Sequence, residues 1–363
     1  NTITQDVIEQ PEHMQQLQTA VETCINSIGS AALLMIGEQG GVIYQHQGGN
    51  YDNSDTLLMS FGGKTMDVRY GLRARDDLPA PPLYPYQNPT YSLQRLRLSY
   101  PSFSFWGDIN MVPLCDRLGP NRPDNPNGYL TCPLYAYGFG EHSIQKQMQL
   151  YIETKLPQCM SNQIADLGLQ TGNVSVQVIY GDRDVTVHTT YPVRVGTAEM
   201  EDFSVQFPIR LKRIYQLAYR IVEQDALNVT FHKGVDFRNL KDCLYKQGSG
   251  NCWEPTIRVY NLRDVSQHDD VLRLEDEESS MGGEPYVFQV GIENRRPMLN
   301  YIYSARNNTY ANSFHLVGFI GENLRIQPQG YDPDEDALYY NYSLWAQTEN
   351  TTYLDPGCLN IQD

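Results

Sequence analysis

Residues 174–190 read VSVQVIYGDRDVTVHTT, a run in which apolar side chains recur at every second position. Val174 and each second residue up to Tyr180 share one face of an extended chain, and the alternation resumes from Val185 to Thr189. The Gly-Asp-Arg-Asp segment between them is typical of a turn. The stretch therefore predicts two antiparallel β-strands with one buried face.

Helical periods flank this hairpin on both sides. Apolar residues at three-to-four spacing predict a helix from Pro11 to Gly37, helices over 143–156 and 159–167, and another over 214–222. Further strands are predicted at 42–44, 56–60, 66–70, 94–100, 205–211, 256–262, 271–274 and 286–292. The order of these elements predicts an α+β body over residues 10–293 with antiparallel pairing and a long loop region at 45–130.

The two ends of the chain read differently from this body. Residues 1–9 predict an extended N-terminal arm, in which Ile3, Val7 and Ile8 are the apolar points. Residues 294–297 read as a linker, and strands are predicted beyond it at 298–303, 314–320, 324–328 and 338–344. We expect residues 294–363 to form a β module. Because the chain starts at Asn1 and not Met, we also expect a trimmed, mature N-terminus.

Composition narrows the class of protein. The 363-residue chain has a net charge of −16 and a pI near 4.8, which excludes nucleic acid as a partner and favours cationic partners or calcium. No uninterrupted apolar run reaches the roughly 18–20 residues that cross a bilayer, so we predict no transmembrane segment in this chain. A surface rich in Asn, Gln and 26 tyrosines is typical of outward-facing proteins.

Seven cysteines without a CxxC pair favour disulfides over a zinc site. Two pairs bracket loop-like sequence, and a third pair lies on two predicted helices. These predicted bridges are Cys115–Cys132, Cys243–Cys252 and Cys24–Cys159. Cys358 is left over for an intermolecular bond or a free thiol; the alternative is that all seven are reduced and buried. Five glycosylation sequons accompany them, at Asn173, Asn228, Asn307, Asn341 and Asn350.

Local motifs for catalysis are weak. Gly62-Gly63-Lys64-Thr65 lacks the earlier glycine of a phosphate-binding loop, because position 58 is leucine. The seven histidines form no HExxH motif. Asp332, Asp334 and Asp336 supply oxygen ligands that suit calcium, although a turn in which aspartates accept bonds from backbone amides explains the same pattern. We therefore predict no enzyme and no cofactor other than possible calcium.

Two resemblances indicate the cell surface. Tyr331-Asp332-Pro333-Asp334-Glu335-Asp336, after the Asn294–Pro297 linker, resembles the DPDGD segment of immunoglobulin-like surface modules, with Glu335 in place of glycine. This resemblance implies a C-terminal immunoglobulin-like β-sandwich. The 18 residues after Trp345 are few for a complete sandwich, so we expect a small or incomplete module. Segments 24–41, 151–159 and 284–289 are similar to an uncharacterised family of archaeal secreted or membrane-anchored surface proteins. That family implies an outward-facing location and a structural or adhesive role.

Three functions follow as hypotheses. The first is an extracellular structural protein, a subunit of a surface filament or surface layer that self-associates by strand donation from the N-terminal arm or through Tyr84, Tyr86 and Tyr91. The second is a monomeric adhesin that binds glycans or other cells through Tyr84, Tyr86, Trp106 and Tyr135. The third is an extracellular hydrolase whose site no local motif marks.

Overall fold

The computed structural model describes residues 6–74, 107–115, 142–195, 198–227, 256–263, 268–295, 298–304, 309–311, 326–332, 334, 336–340, 346–348 and 351–353. The chain divides into two compact units. The first comprises Asn1–Asp76 and Phe103–Arg295, and the second Asp77–Ser102 and Arg296–Asp363. The boundary after Arg295 lies close to the predicted one at 293/294. The second unit also includes residues 77–102, which the sequence analysis assigned to the body.

The first helix is longer than the sequence predicts. Helix α1 spans Asp6–Glu38, so Val7 and Ile8 are helical and residues 6–9 are not an extended arm. Pro11 lies inside the helix, where its missing N–H forfeits the bond to the Val7 carbonyl.

The described strands of the first unit form two sheets. In the first sheet the strand order is β1-β2-β10-β9-β8, and the short strand β3 also pairs with β2. Their bounds are β1 Thr56–Phe61, β2 Lys64–Arg73, β3 Asp108–Ile109, β8 Ile257–Arg263, β9 Asp270–Met281 and β10 Glu284–Ile292. All neighbours are antiparallel except β2 and β10, which run parallel. The expected antiparallel sheet is therefore mixed at its centre.

The second sheet contains the hairpin that the alternation predicts. Strand β6 pairs with β5 and β7 along its length and with the short β4 near its end. Their bounds are β4 Gln170–Thr171, β5 Ser175–Tyr180, β6 Val185–Val195 and β7 Ala198–Phe207. Three helices accompany these strands: α2 Ile144–Cys159, α3 Ser161–Leu167 and α4 Leu211–Leu227. Leu211, predicted at a strand end, begins α4, and residues 42–44 form only a single bridge between Tyr44 and Tyr51.

Helix α1 packs between the two sheets, because it contacts both β7 and β10. Two glycines permit this close approach. A side chain at Gly29 would clash with the Phe207 ring of β7, and one at Gly37 would clash with the Val287 carbonyl oxygen of β10. The hydroxyl of the buried Tyr286 donates to the Leu33 carbonyl at 2.9 Å, which fixes the helix on β10. The main core therefore surrounds the second half of α1.

Helix α1 also has the composition of a membrane span. Among the described residues, Met14–Glu38 is the one segment long and apolar enough to cross a bilayer, although polar residues interrupt its apolar run. Half of its most apolar window is buried inside the protein.

The described part of the second unit is made of strands. Strand β11, Met298–Ser304, pairs antiparallel with β12, Thr309–Ala311, and with β13, Ile326–Tyr331. Strands β14, Ala346–Thr348, and β15, Thr351–Tyr353, form a separate antiparallel pair. Residues 338–340, predicted as strand, have no regular structure. The chain is thus α+β, with helices and mixed sheets in the first unit and antiparallel strands in the second.

Candidate functional site

The predicted bridge between helices is present. Cys24 and Cys159 form a disulfide with a Cα–Cα distance of 6.0 Å, which links the middle of α1 to the last residue of α2. Cys24 is buried and Cys159 is exposed. Closing a loop across 135 residues stabilises the fold by about 5 kcal/mol if the main effect is on the unfolded chain. A disulfide of this kind is compatible with an extracellular location.

The other cysteines are only partly described. Cys115 is disulfide-bonded. Its predicted partner Cys132 lies outside the described residues, as do Cys243, Cys252 and Cys358. Among the sequons, Asn173 is exposed in the loop between β4 and β5, where an oligosaccharide has room. Outside the described residues lie Asn228, Asn307, Asn341 and Asn350.

The residues predicted for assembly are not brought together in the described structure. Val7 and Ile8 lie in α1, which removes them as an extended donor strand. The remaining ones, Ile3, Tyr84, Tyr86 and Tyr91, lie outside the described residues, as do Trp106 and Tyr135.

The predicted calcium ligands form a tight turn. One carboxylate oxygen of Asp332 accepts from the backbone N–H of Asp334 at 2.8 Å and from that of Asp336 at 3.0 Å. Burial raises the pKa of Asp332, and the two amide bonds oppose that shift. No group of three metal-ligating side chains occurs within the described ranges. The geometry is that of an aspartate turn, the alternative interpretation of this sequence.

A cluster of charged side chains lies where β2 and β10 end, and we call Asp55, Tyr70, Arg73, Asp269 and Glu293 the strand-end cluster. The Arg73 guanidinium contacts Asp55 at 2.9 Å and Glu293 at 3.4 Å, and it lies 4.4 Å from the centre of the Tyr70 ring. The Tyr70 hydroxyl donates to Asp269 at 2.6 Å. Burial, with this bond next in size, raises the pKa of Tyr70, so the phenol stays protonated as a donor.

The strand-end cluster also holds the backbone where the chain leaves the first unit. Glu293 accepts from the backbone N–H of Ala74 at 2.7 Å, and Asp269 accepts from that of Asn294 at 2.7 Å. Each carboxylate in the cluster therefore already has a donor. The arrangement braces the strand ends.

A second polar junction has a buried centre. The Arg210 guanidinium, ahead of α4, binds Asp276 of β9 through two nitrogens and Glu278 through a third, at 2.5 Å. The backbone N–H of Arg210 donates to the Ser279 hydroxyl at 2.9 Å. Arg210 and Asp276 expose 5% and 0% of their side chains, whereas Glu278 at the rim is 56% exposed. The junction therefore fixes α4 on the first sheet through an ion pair that is withdrawn from solvent.

The outer strands of the two sheets differ in how their edges are protected. On β5, Gln145 of α2 donates to the Val178 carbonyl at 2.8 Å, and Glu153 accepts from the Val176 N–H at 2.9 Å. Strands β7, β8 and β1 have no hydrogen-bonded neighbour on their outer side in the described part of the chain. Strand β7 carries the exposed acids Glu199, Glu201 and Asp202, and β8 carries Arg258 and Arg263.

Strand β1 lacks all of these protections. Its sequence TLLMSF contains no charge and no proline, and its pairing with β2 has no bulge. Leu58 is 60% exposed and Phe61 40%. Open edges of this kind are the ones that soluble proteins usually block. The sequence predicts a strand over 56–60. Its edge position could not be predicted, because periodicity does not show which side of a strand is paired.

Comparison of the chain with protein-family models, with curated proteins and with solved structures finds no match.

Proposed function

We propose that the protein is an extracellular structural protein, a self-associating subunit of a surface filament or surface layer. The observation that carries this proposal is the set of outer strands β1, β7 and β8. Within the described structure, no strand pairs with the outward-facing backbone groups of these three strands. A free strand edge gives strong and directional association, because a second strand satisfies its row of main-chain donors and acceptors.

Two further features support an extracellular role. The Cys24–Cys159 and Cys115 disulfides are stable in an oxidising compartment. Asn173 is exposed within a sequon, which permits glycosylation there. The proposal includes membership of the archaeal surface-protein family that the sequence resembles, and an immunoglobulin-like module built on the antiparallel strands of the second unit. Strand donation by Val7 and Ile8 is not part of the proposal, because both residues are helical.

Electron microscopy of native material tests the proposal. We expect regular filaments or sheets, imaged with and without reductant and with and without a calcium chelator. Loss of order on reduction would implicate a disulfide such as one formed by Cys358, and loss on chelation would implicate Asp332 and its neighbours. Dispersed single particles under all conditions would contradict the proposal and turn attention to glycan binding by a monomeric adhesin.

A further inference from the structure

The Gly62-Gly63 loop determines which backbone groups of β1 point outward. Both glycines have positive φ, 59° and 80°, as in a two-residue type I′ hairpin. The residues that flank such a loop, Phe61 and Lys64, exchange both ladder bonds, and bonded and non-bonded pairs then alternate along the strands.

Phe61, Met59 and Leu57 therefore bond to β2, whereas Ser60 and Leu58 direct their N–H and C=O groups away from it. The hydroxyls of Ser60 and its partner Thr65 are 2.9 Å apart, which fits the closer approach of a non-bonded pair. The outward groups are those that a further strand would bind.

We propose that β1 is a self-association strand: two copies of this chain pair their β1 strands antiparallel, related by a two-fold axis, and so extend the first sheet from one copy into the other. This inference rests on the proposed function, since it names the contact through which subunits associate. An antiparallel pair of identical strands is isologous and closes as a dimer, so a filament would use it as a building unit and need a second contact.

Charge is the reason to choose a second copy as the partner. Self-pairing of β7 would place Glu199, Glu201 and Asp202 beside their own copies, in a protein of net charge −16. Strand β1 carries no charge, so self-pairing brings no repulsion within it.

The antiparallel arrangement brings no like charges together at the ends of the paired strands either. The exposed Asp52 of one copy lies near the Gly62-Gly63 turn of the other, where Lys64 is already paired with Glu38. Leu58, on the outer edge, would lose its contact with water when the strands pair.

Sedimentation equilibrium of the full chain tests this contact. Leu58→Lys puts like charges into the pair and Ser60→Pro removes one outward N–H, and each should weaken dimerisation roughly tenfold or more. Gln177→Lys is the matched control, because it adds the same charge to an exposed strand position on β5, whose edge α2 protects, and should leave dimerisation unchanged. Circular dichroism and thermal melting verify that each variant is folded.

Hydrogen exchange supplies an independent readout. With rising concentration of the wild-type chain, the amides of Leu58 and Ser60 should become protected, whereas those of Leu57 and Met59 should be protected throughout by their bonds to β2. The inference fails if both β1 variants associate as the wild type does, or if Gln177→Lys weakens association as strongly. Filaments that persist with Leu58→Lys would overturn the β1 contact and leave the proposed function intact. A β1 dimer with no ordered native assembly would overturn the function and leave the contact intact.

Discussion

Position 210 shows how much of this fold depends on single buried side chains. Arg210 and Asp276 are both withdrawn from water, and their charges are compensated by each other and by Glu278, Thr256 and Ser279. Removing one partner of such a pair leaves the other buried and uncompensated, which costs far more than the pair contributes.

Arg210→Met should therefore lower the free energy of unfolding by about 3–5 kcal/mol, measured by urea denaturation. Arg258→Met is the matched control. Its side chain is 63% exposed and pairs with Glu277 in solvent, so its loss should lower the free energy of unfolding far less. Equal losses for the two variants would contradict the argument that burial sets the cost.

Asp332 yields a prediction about pH. Burial holds the pKa of this acid above its ordinary value of 3.8, so the protonated form favours the folded state. Burying the charged carboxylate lowers the free energy of unfolding. This loss reaches its full size above the folded-state pKa and disappears below about pH 3.8, where the acid is protonated in both states. Asp332→Asn keeps an oxygen for the amides of Asp334 and Asp336 and removes the charge.

In the presence of chelator, Asp332→Asn should melt at a higher temperature than the wild type at pH 7 and at the same temperature at pH 3.5. Lower stability of the variant at pH 7 would contradict this argument, because it would show that the bonds from the two amides need the charged carboxylate more than burial penalises it.

At the scale of helices and strands, local patterns predicted the elements but not their partners. The alternation at 174–180 and the heptad-like spacing of α1 identify β5 and the first helix, since buried faces impose those periods. The parallel neighbours β2 and β10 are far apart in sequence, and the residues of neither strand identify the other as its partner. The strand-end cluster follows from that pairing, so Arg73 and Glu293 could not be recognised as neighbours beforehand.

Helix α2 protects an edge, and this too can be tested. Gln145→Ala with Glu153→Ala should leave the Val178 carbonyl and the Val176 N–H of β5 without their partners. We expect concentration-dependent association beyond that of the wild type in light scattering, with a modest loss of stability of roughly 1–3 kcal/mol. Gln158→Ala with Lys155→Ala, on the same helix, should associate only as the wild type does. If both double variants scatter light as the wild type does, the two side chains do not act as edge protection.

At the scale of the molecule, each of the two units is formed from two segments that are separate in the sequence. The first unit is formed by Asn1–Asp76 and Phe103–Arg295, and the second takes Asp77–Ser102 from between them. The second unit is therefore not simply the C-terminal end of the chain, and a cut at the predicted linker does not separate two complete units.

A protease site introduced at residues 296–297 tests this order. After cleavage, we expect the two fragments to co-elute in native size-exclusion chromatography and to separate in denaturant, because the N-terminal fragment retains 77–102. Separation of the fragments under native conditions would show that 298–363 is an independent module.

The parallel contact between β2 and β10 also has a consequence for biosynthesis. Tyr70 is made long before Gly291, its partner in the sheet. At typical rates of synthesis the intervening roughly 220 residues take about 10–45 s to appear. For that time the hairpin that carries TLLMSF lacks β10 and has only the short β3 beside β2, so two nascent chains can join through it before either has folded. Export that keeps chains apart, or a holding chaperone, would then determine the yield of correctly folded protein.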